Sequence, residues 1–365
     1  MFERAYLHYP MPTLLIPGCA LVLQLLRVAL PSGPLDGLPA ARVVVDSAQR
    51  SIVIELPPTD LPAVGSGGAV TVRLLPVYVA EIPTSGSAFH ARIDLVDGAG
   101  RELPQALLHH FNLADPSRRE LFLPIALHIM AASKETPSLS VPRFVFGLPL
   151  RSGQRLITSA MLANSTAIAY QRVRVRLTLR YEPDDQVWPA FPAYPWVMDV
   201  LFPLGHPPTG SKAFDLPPGR SERSFESSPA VPGTIVGLGG HLHDYGVSLR
   251  LTDVTTGEVL WDARLVKDTA GHLLSIPVTR FYNWHRLGVH IVSAHRYRVT
   301  AVYQNPTGQP IRDGGMGAVA GLFVPDRGTL WPGVDPSDTL YQRDLQQTLR
   351  ADAASGAMLL MPHMH

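Results

Sequence analysis

The sequence contains one cysteine in 365 residues, so no disulfide can form within the chain and the fold must rest on its hydrophobic core. The charged fraction is also low, at 17%, and the formal net charge is +1. Such a balance creates no strong electrostatic field, so we expect no nucleic-acid partner. The hydrophobic fraction of 46% is typical of a folded protein. Because a chain without disulfides can be cytosolic or exported, cysteine usage leaves the compartment open.

Long apolar segments are scarce, and the one that stands out is residues 11–30. About 20 apolar residues can span a bilayer, but two prolines and Arg27 interrupt this run. We interpret residues 1–35 either as a signal or anchor, or as a packed arm or helix. Membrane contact is expected only through residues 11–30. Localisation stays unknown, with an exported or anchored protein slightly favoured over a cytoplasmic one.

Proline is abundant, at 35 residues, which is nearly twice the usual share of about 5%. Proline disrupts helices, and the chain beyond about Ala41 consists of short β-branched runs separated by Asp, Pro and Gly. This pattern predicts an all-β fold with two tandem β-sandwich, jelly-roll-like domains. An amphipathic segment at residues 336–354 predicts a short C-terminal helix, followed by a tail.

Residues 182–196 are rich in proline and aromatic side chains, and we place the domain boundary there. The predicted organisation has four parts: the apolar segment 1–35, a first β-sandwich domain 36–185, a second β-sandwich domain 186–330, and the helix with its tail 331–365. No internal repeat of 20–50 residues is evident in the sequence.

Two histidines one residue apart, His241 and His243, open a strand-like run. Side chains alternate along a β-strand, so both imidazoles should lie on one face. Imidazole suits Cu, Zn, Fe and Ni, so the pair alone names no metal, and two ordinary surface histidines are the alternative. The glycines that precede the pair are expected to turn the backbone tightly, and Gly246 to let the chain leave.

A second pair, His109 and His110, is adjacent in the sequence. Neighbouring residues of a regular strand face opposite ways, so both can bind one ion only at a bulge or a strand end. A third feature is Met316, which lies between two glycines at the start of a predicted strand. Its thioether is a soft ligand that favours Cu(I), and packing in the core is the alternative.

In chain order, five features resemble the copper type II, ascorbate-dependent monooxygenases: the His-His pair, PLRSGQRLITSAMLANST, DLPPGRSERSFES, the His-x-His strand and Met316. That family includes peptidylglycine α-hydroxylating monooxygenase and dopamine β-monooxygenase. The resemblance covers roughly residues 75–325 and is closest to bacterial, disulfide-free relatives. It implies two β-sandwich domains with a cleft between them.

The resemblance further implies two copper centres, one in each domain. His241, His243 and Met316 would be the catalytic ligands of the centre that binds O2. His109 and His110 would belong to an electron-storing centre. The implied reaction hydroxylates a C–H bond of a small organic or peptide-like substrate, with ascorbate or another one-electron reductant supplying electrons.

The chain departs from this family at the third ligand of the electron-storing centre, where it has Ala163. Met161 lies on the same strand face and could substitute, and His90 and His128 are candidates outside the family position. The departure favours an alternative function, a non-catalytic copper-binding or copper-handling protein on the same scaffold. A third alternative, a plain β-sandwich adhesion module, leaves the order of the ligands unexplained.

The remaining candidates are weaker. Asp244 and Tyr245 either orient the ligands or are solvated surface residues. The end of the chain either binds copper as a mobile tail or is frayed, and its donors are Met361, His363, Met364 and His365. Three other histidines are interpreted as structural or surface residues: His285, His290 and His295.

Overall fold

The computed structural model describes residues 35–65, 69–134, 136–185, 189, 191–201, 212–269, 271–283, 285–350 and 358–361, the last four as backbone only. Residues 38–365 belong to one unit, which holds every element named below. The apolar run at residues 11–30 lies outside the described residues. Within the described part, no helix has the length and apolarity to cross a membrane.

The first half of the described chain is almost entirely β-structure, with one short 3-10 turn at Gln105–Leu107. Its strands are β1 (Arg42–Asp46), β2 (Ser51–Glu55), β3 (Thr59–Leu61), β4 (Val70–Leu74), β5 (Tyr78–Glu81), β6 (Gly86–Val96), β7 (Leu108–Arg119), β8 (Ala126–Ala132), β9 (Ser138–Ser140), β10 (Phe146–Leu150), β11 (Arg155–Asn164), β12 (Tyr170–Pro183) and β13 (Phe191–Pro192). Eight of these strands form one sheet, which runs β1-β2-β12-β6-β10-β13 with β3 and β9 attached to it. The other sheet contains β4, β11, β7 and β8 in that order, and β5 pairs with β11.

Strand β12 shows how the sequence pattern makes a sandwich. Its valines and leucines at alternate positions are buried, among them Val175 and Leu177, while the arginines between them face outward. Arg174 and Arg176 each reach the carboxylate of Glu55 at 3.0 Å, so the outer face of the sheet is tied by ion pairs across strands. Period-two alternation therefore gives one face to the core and one to polar contacts.

The second half repeats the sandwich plan and ends in the helix. Its elements are β14 (Tyr194–Asp199), β15 (Phe214–Leu216), β16 (Gly219–Ser227), β17 (Gly233–Leu242), β18 (Gly246–Asp253), β19 (Glu258–Asp262), β20 (Val266–Lys267), β21 (Leu273–Ser275), β22 (Thr279–Arg280), β23 (Val289–Ile291), β24 (Tyr297–Asn305), β25 (Ile311–Gly315), β26 (Gly317–Pro325), α1 (Thr339–Arg350) and β27 (Met358–Met361). One sheet runs β14-β26-β17-β22, with β23 paired to β17, and the other runs β16-β24-β18-β19.

Each sandwich has its own hydrophobic core, and the second is built around Trp196, Leu238 and Phe323. Leu121 and Phe122, which come from the first half of the chain, are also members of the second core. The all-β fold with two β-sandwiches is therefore confirmed. The domain boundary within residues 182–196 stays a prediction.

The predicted helix is confirmed as α1, which lies within the expected span. Asp338 caps it, because its side chain accepts the backbone N–H groups of Leu340 and Tyr341. Tyr341 and Leu345 are buried. The last strand, β27, pairs with β4 and so extends the sheet that carries β11 and β7.

Candidate metal centre

His241 is the penultimate residue of β17, and His243 directly follows the last one, Leu242. Leu242, between the two histidines, is buried, while His241 is exposed and His243 is half-buried. The two imidazole centroids are 5.3 Å apart, and the rings are almost perpendicular. The prediction that both side chains leave the same face of one strand is therefore confirmed by the alternation of burial.

Met316 lies between β25 and β26, next to the same strand. In the ladder of β17 with β26, His241 is opposite Ala318 and Leu242 is opposite Gly317. The paired register ends at Gly317, but Met316 is half-buried like Ala318 while Gly317 between them is buried, so Met316 alternates onto the face of Ala318. Residues directly opposite in such a pair share a face, with their Cβ atoms about 4.5–5.5 Å apart. The fold thus brings the three predicted ligands of this centre to one face of the sheet.

The ring of His243 is oriented by the chain segment that leads to Met316. The ring hydrogen-bonds to the backbone of Asp313 and of Gly314. Burial lowers the pKa of His243 below its usual value, against the opposing effect of these hydrogen bonds and of the carboxylate of Asp244. The imidazole is therefore neutral at pH 7. A metal-binding histidine typically uses one nitrogen for a backbone acceptor and the other for the ion, and this residue fits that pattern.

Backbone strain is concentrated beside this histidine. Among the described residues, four that are not glycine have a positive φ, and two of them flank the centre: Tyr245 at 66° and Asp313 at 49°. The backbone N–H of Asp313 is held by the side chain of Asp215 at 2.9 Å. Such conformations cost free energy and often occur at functional sites, so they support a functional role for the segments around His243.

The role predicted for the glycines is wrong. Gly237, Gly239 and Gly240 lie inside the extended strand β17 and form no turn. Gly240 is needed because a Cβ there would overlap Leu249 of the facing sheet. The chain instead turns through Tyr245, whose positive φ is the one expected of a glycine. The sequence could not distinguish a tight turn from close packing between sheets, since both select glycine.

Asp244 anchors a neighbouring hairpin. Its carboxylate accepts the backbone N–H of Leu273 at 2.9 Å and lies 3.1 Å from Nδ1 of His272. These two residues belong to the β20–β21 hairpin and its turn. Tyr245 packs against the second core, and its carbonyl accepts the backbone N–H of Gln304. Direct orientation of a ligand by either side chain stays a prediction.

In the first sandwich, the adjacent histidines lie on a β-bulge. Strand β7 pairs with β11 so that Met161 is opposite His110 while Leu162 is opposite Leu108, which leaves His109 as the extra residue. The two imidazoles stack with centroids 4.2 Å apart and planes 29° apart. The bulge that the sequence required for a shared site is therefore present.

Met161 is the residue directly across the ladder from this bulge. It is half-buried and shares its strand face with Ala163, which is opposite Val72 of β4. The prediction that Met161 lies on the ligand face is confirmed. Ala163 is the next position of that face, one step beyond the bulge.

The two other histidines considered as third ligand lie elsewhere. His90 is on β6, in the other sheet of the sandwich, and its Nδ1 is 2.6 Å from the hydroxyl of Ser140. His128 is on β8, where its Nδ1 is 3.2 Å from the carboxylate of Glu120. Each histidine already has a local partner, and neither takes the place across the bulge that Met161 occupies.

The histidines interpreted as structural or surface residues have contacts that fit this interpretation. His290 pairs with Asp326, and His295 Nδ1 is 2.6 Å from the carboxylate of Asp253. His285 is exposed in a turn. In the Met/His tail, the backbone of Met361 belongs to β27, whereas residues 362–365 lie outside the described part, so their copper binding stays a prediction.

Within the described residues, no three His, Cys, Asp or Glu side chains gather closely enough to hold a metal ion. Each candidate centre therefore depends on a methionine as its third ligand. A thioether is weakly basic and soft, so such a set favours Cu(I) over harder divalent ions.

One charged group near the second centre was missed by the sequence argument. Asp199 of β14 is opposite Ala318, so it lies in the same cross-strand row as His241. It is only 3% exposed, and burial raises the pKa of its carboxyl to about 6, against the opposing effects of the Leu201 N–H and Lys212. No local motif marks it, because its position depends on the pairing of three strands.

Comparisons with known proteins add little to this geometry. No family model and no curated protein matches the chain. Among solved structures, a VP2 subviral particle of infectious bursal disease virus is 10% identical, with a TM-score of 0.22 over 82% of this chain and 75% of that one. The mavirus major capsid protein is 8% identical, with a TM-score of 0.20 over 87% and 93%. Likeness this low supports no conclusion about this chain.

Proposed function

We propose that this protein is a copper-dependent monooxygenase-like protein whose second sandwich holds one copper ion through His241, His243 and Met316. What supports the proposal is the alternation of burial along β17 and β26, from which we infer that two imidazoles and a thioether share one face. These residues are far apart in sequence, and their convergence is not required for a plain sandwich.

The donors and their surroundings fit copper. His243 is neutral and held by backbone carbonyls, so it needs little reorganisation to bind an ion. His241 is exposed, and neighbouring positions of the same face include Gly239, Ala318 and Ala320, while the buried Asp199 lies beyond Ala318 in the same row. In this proposal, a small ligand and a substrate approach from the exposed side of His241.

Bound copper would supply one-electron redox chemistry with O2. The chain's part is to hold two nitrogen donors and one sulfur donor on a rigid sheet while leaving one side accessible. In this proposal, O2 and a small organic or peptide-like substrate meet at that side, and a C–H bond of the substrate is hydroxylated. Ascorbate or another one-electron reductant provides the electrons.

The first sandwich would hold the second copper, at His109, His110 and Met161. The bulge pairs Met161 with His110, and the rings of His109 and His110 stack, which supports Met161 as a third donor in spite of Ala163. We assign this site to electron storage.

A non-catalytic copper-handling function is the second candidate, and one observation favours it. Both centres have the same two-imidazole, one-thioether donor set, which suits storage or transfer of Cu(I) as well as redox chemistry. Ascorbate-dependent O2 consumption by the copper-loaded protein, coupled to formation of a hydroxylated product, separates the two. Copper binding without O2 consumption would support the handling function.

The ligand set of the second centre can be tested by X-ray absorption of the Cu(I) form. In a His109→Ala, His110→Ala background, the remaining copper should show one sulfur scatterer. Met316→Leu in that background keeps the side-chain volume but removes the sulfur, so the scatterer should vanish. Met161→Leu in the same background is the matched control and should leave it unchanged. A sulfur signal that survives Met316→Leu would contradict the proposal.

A further inference from the structure

One buried phenol joins the two chain segments that carry the ligands of the second centre. Tyr303 of β24 is 1% exposed, and its oxygen accepts the backbone N–H of His243 at 3.1 Å and of Met316 at 3.0 Å. The same hydroxyl donates to the backbone carbonyl of Met316. A phenol has one donor and two acceptor sites, so all of them are used here.

The contact joins the two sheets of the second sandwich. Tyr303 belongs to the β16-β24-β18-β19 sheet, whereas His243 and Met316 extend from β17 and β26 of the facing sheet. Phe214 meets the tyrosine ring edge-on at 5.8 Å, which leaves the hydroxyl little freedom.

We propose that Tyr303 is a positioning residue for the copper centre, because its hydroxyl fixes the backbone of Met316 relative to that of His243. This inference rests on the proposed function, since it concerns the same three ligands. Without the hydroxyl, two buried N–H groups and a carbonyl lose their partner, and the segment that carries the thioether is free to shift. The two histidines remain on β17.

Tyr297 provides a matched control on the same strand. It is also 1% exposed, and its hydroxyl accepts the backbone N–H of Val292 at 3.0 Å. That contact does not involve the chain segments that carry His243 and Met316. Tyr297→Phe removes one hydrogen bond and Tyr303→Phe removes three, so both should reduce stability, the second by more, while only the second should change the metal site.

The experiment uses the full chain with copper as the probe, in the His109→Ala, His110→Ala background. Tyr303→Phe should lower Cu(I) affinity by about 10- to 100-fold, the usual range for residues that orient ligands, and should remove or lengthen the Cu–S scatterer. Cu(II) retention by His241 and His243 should stay unchanged, and Tyr297→Phe should alter none of these values. An unchanged Cu–S signal in Tyr303→Phe would overturn this inference alone.

If the background protein itself lacks a sulfur scatterer, the proposed function falls and this inference falls with it. Hydrogen exchange in the unmodified protein gives a test that does not depend on the variant folding. The amides of His243 and Met316 share one acceptor, so both should be protected and should exchange at similar rates. Rapid exchange of either amide would also overturn the proposal.

Discussion

The two histidine pairs reach one face of a sheet by different means. His241 and His243 are separated by one residue, so the ordinary alternation of β17 puts them side by side, with rings nearly perpendicular at 5.3 Å. His109 and His110 are adjacent, and an extra residue in β7 turns them the same way, with rings stacked at 4.2 Å. In the first case Met316 precedes the neighbouring strand β26, and in the second Met161 of the neighbouring strand β11 is paired with His110.

This difference shows that either spacing can put two histidines on one face. The spacing decides only whether the strand must be regular or distorted. A period-two pair needs no distortion, whereas an adjacent pair needs one specific distortion, which the chain supplies at the expense of a regular ladder. At the second centre, the ring of His243 is held by backbone carbonyls of the segment that leads to Met316. We therefore expect the second centre to be the better organised for copper.

The largest expected effect comes from adding an imidazole to the first centre. Two imidazoles and a thioether suit Cu(I), whereas Cu(II) prefers more nitrogen or oxygen ligands. Both centres share this donor set, so we expect the difference to come from the ring of His243, which backbone carbonyls already hold: the wild-type chain should retain close to one Cu(II), at His241 and His243. Ala163→His places a third imidazole on the face of Met161 and should raise Cu(II) affinity there by at least about 100-fold, since residues that only orient ligands already change affinity by about 10- to 100-fold.

Retention of metal after dialysis against a chelator measures this effect. The number of Cu(II) ions retained per chain should rise from one toward two. Ala163→Leu is the control, because it adds bulk at the same position without a nitrogen. If the wild type already holds two equally tight Cu(II) ions, the contrast between the centres is wrong. If Ala163→His adds none, residue 163 does not face the bulge.

A second prediction concerns the buried carboxyl beside the second centre. The pKa of Asp199 is raised to about 6, so its folded-state pKa lies above its unfolded value. Stability is then greatest below the unfolded pKa and is lost as pH rises through about 6, by roughly 3 kcal/mol for this group. Asp199→Asn should remove that loss, because the amide oxygen can still accept the Leu201 N–H.

Hydrogen exchange from about pH 3.5 to 7 spans the interval between the unfolded and folded pKa values of Asp199 and can localise this effect, after correction for the intrinsic exchange rate. In the wild type, amides of β14 and β26 should lose protection as pH rises. In Asp199→Asn, this loss of protection should be smaller. Amides of β7 and β11, in the first sandwich, provide the internal control. An equal pH response in both sandwiches would show that the burial of Asp199 does not distinguish the second region.

A third prediction uses neighbouring glycines on opposite faces of β17. A Cβ on Gly240 would overlap Leu249 and lie 3.1 Å from the carbonyl oxygen of Ala318, whereas one on Gly239 would approach only Val278, at 3.3 Å. Gly240→Ala should therefore cost about 1–3 kcal/mol of stability, as overpacked cores do. Gly239→Ala should stay within about 0.5 kcal/mol. Chemical denaturation measures both, and similar losses would contradict the packing role of Gly240.

The sequence predicted those features that depend on local periodicity. Alternation in β12 and at His241 and His243 was enough for the sandwich and for the shared face, because a strand has period two. The requirement for a bulge at His109 and His110 followed from the same rule. The existence of helix α1 followed from its amphipathic pattern, although its ends did not.

What the sequence could not predict depends on pairing between distant strands. The position of Met161 opposite His110 follows from the register of β7 with β11. The link from Tyr303 to Met316 follows from the packing of two sheets, and so does the need for glycine at position 240. No local pattern encodes these contacts, since each is fixed only when the whole sandwich closes.

The smallest expected effect tests whether Asp244 serves the centre or only the adjacent hairpin. Asp244 and Asp262 have carboxylates of similar exposure, 48% and 49%, and each pairs with one basic side chain, His272 or Arg250. Exposed pairs of this kind contribute at most about 1 kcal/mol, so Asp244→Ala and Asp262→Ala should each cost little stability. Asp244→Ala should in addition speed amide exchange at Leu273, since that N–H loses its acceptor. Copper affinity should be the same in both variants, and a ten-fold loss in Asp244→Ala alone would show that its carboxylate orients His243 directly.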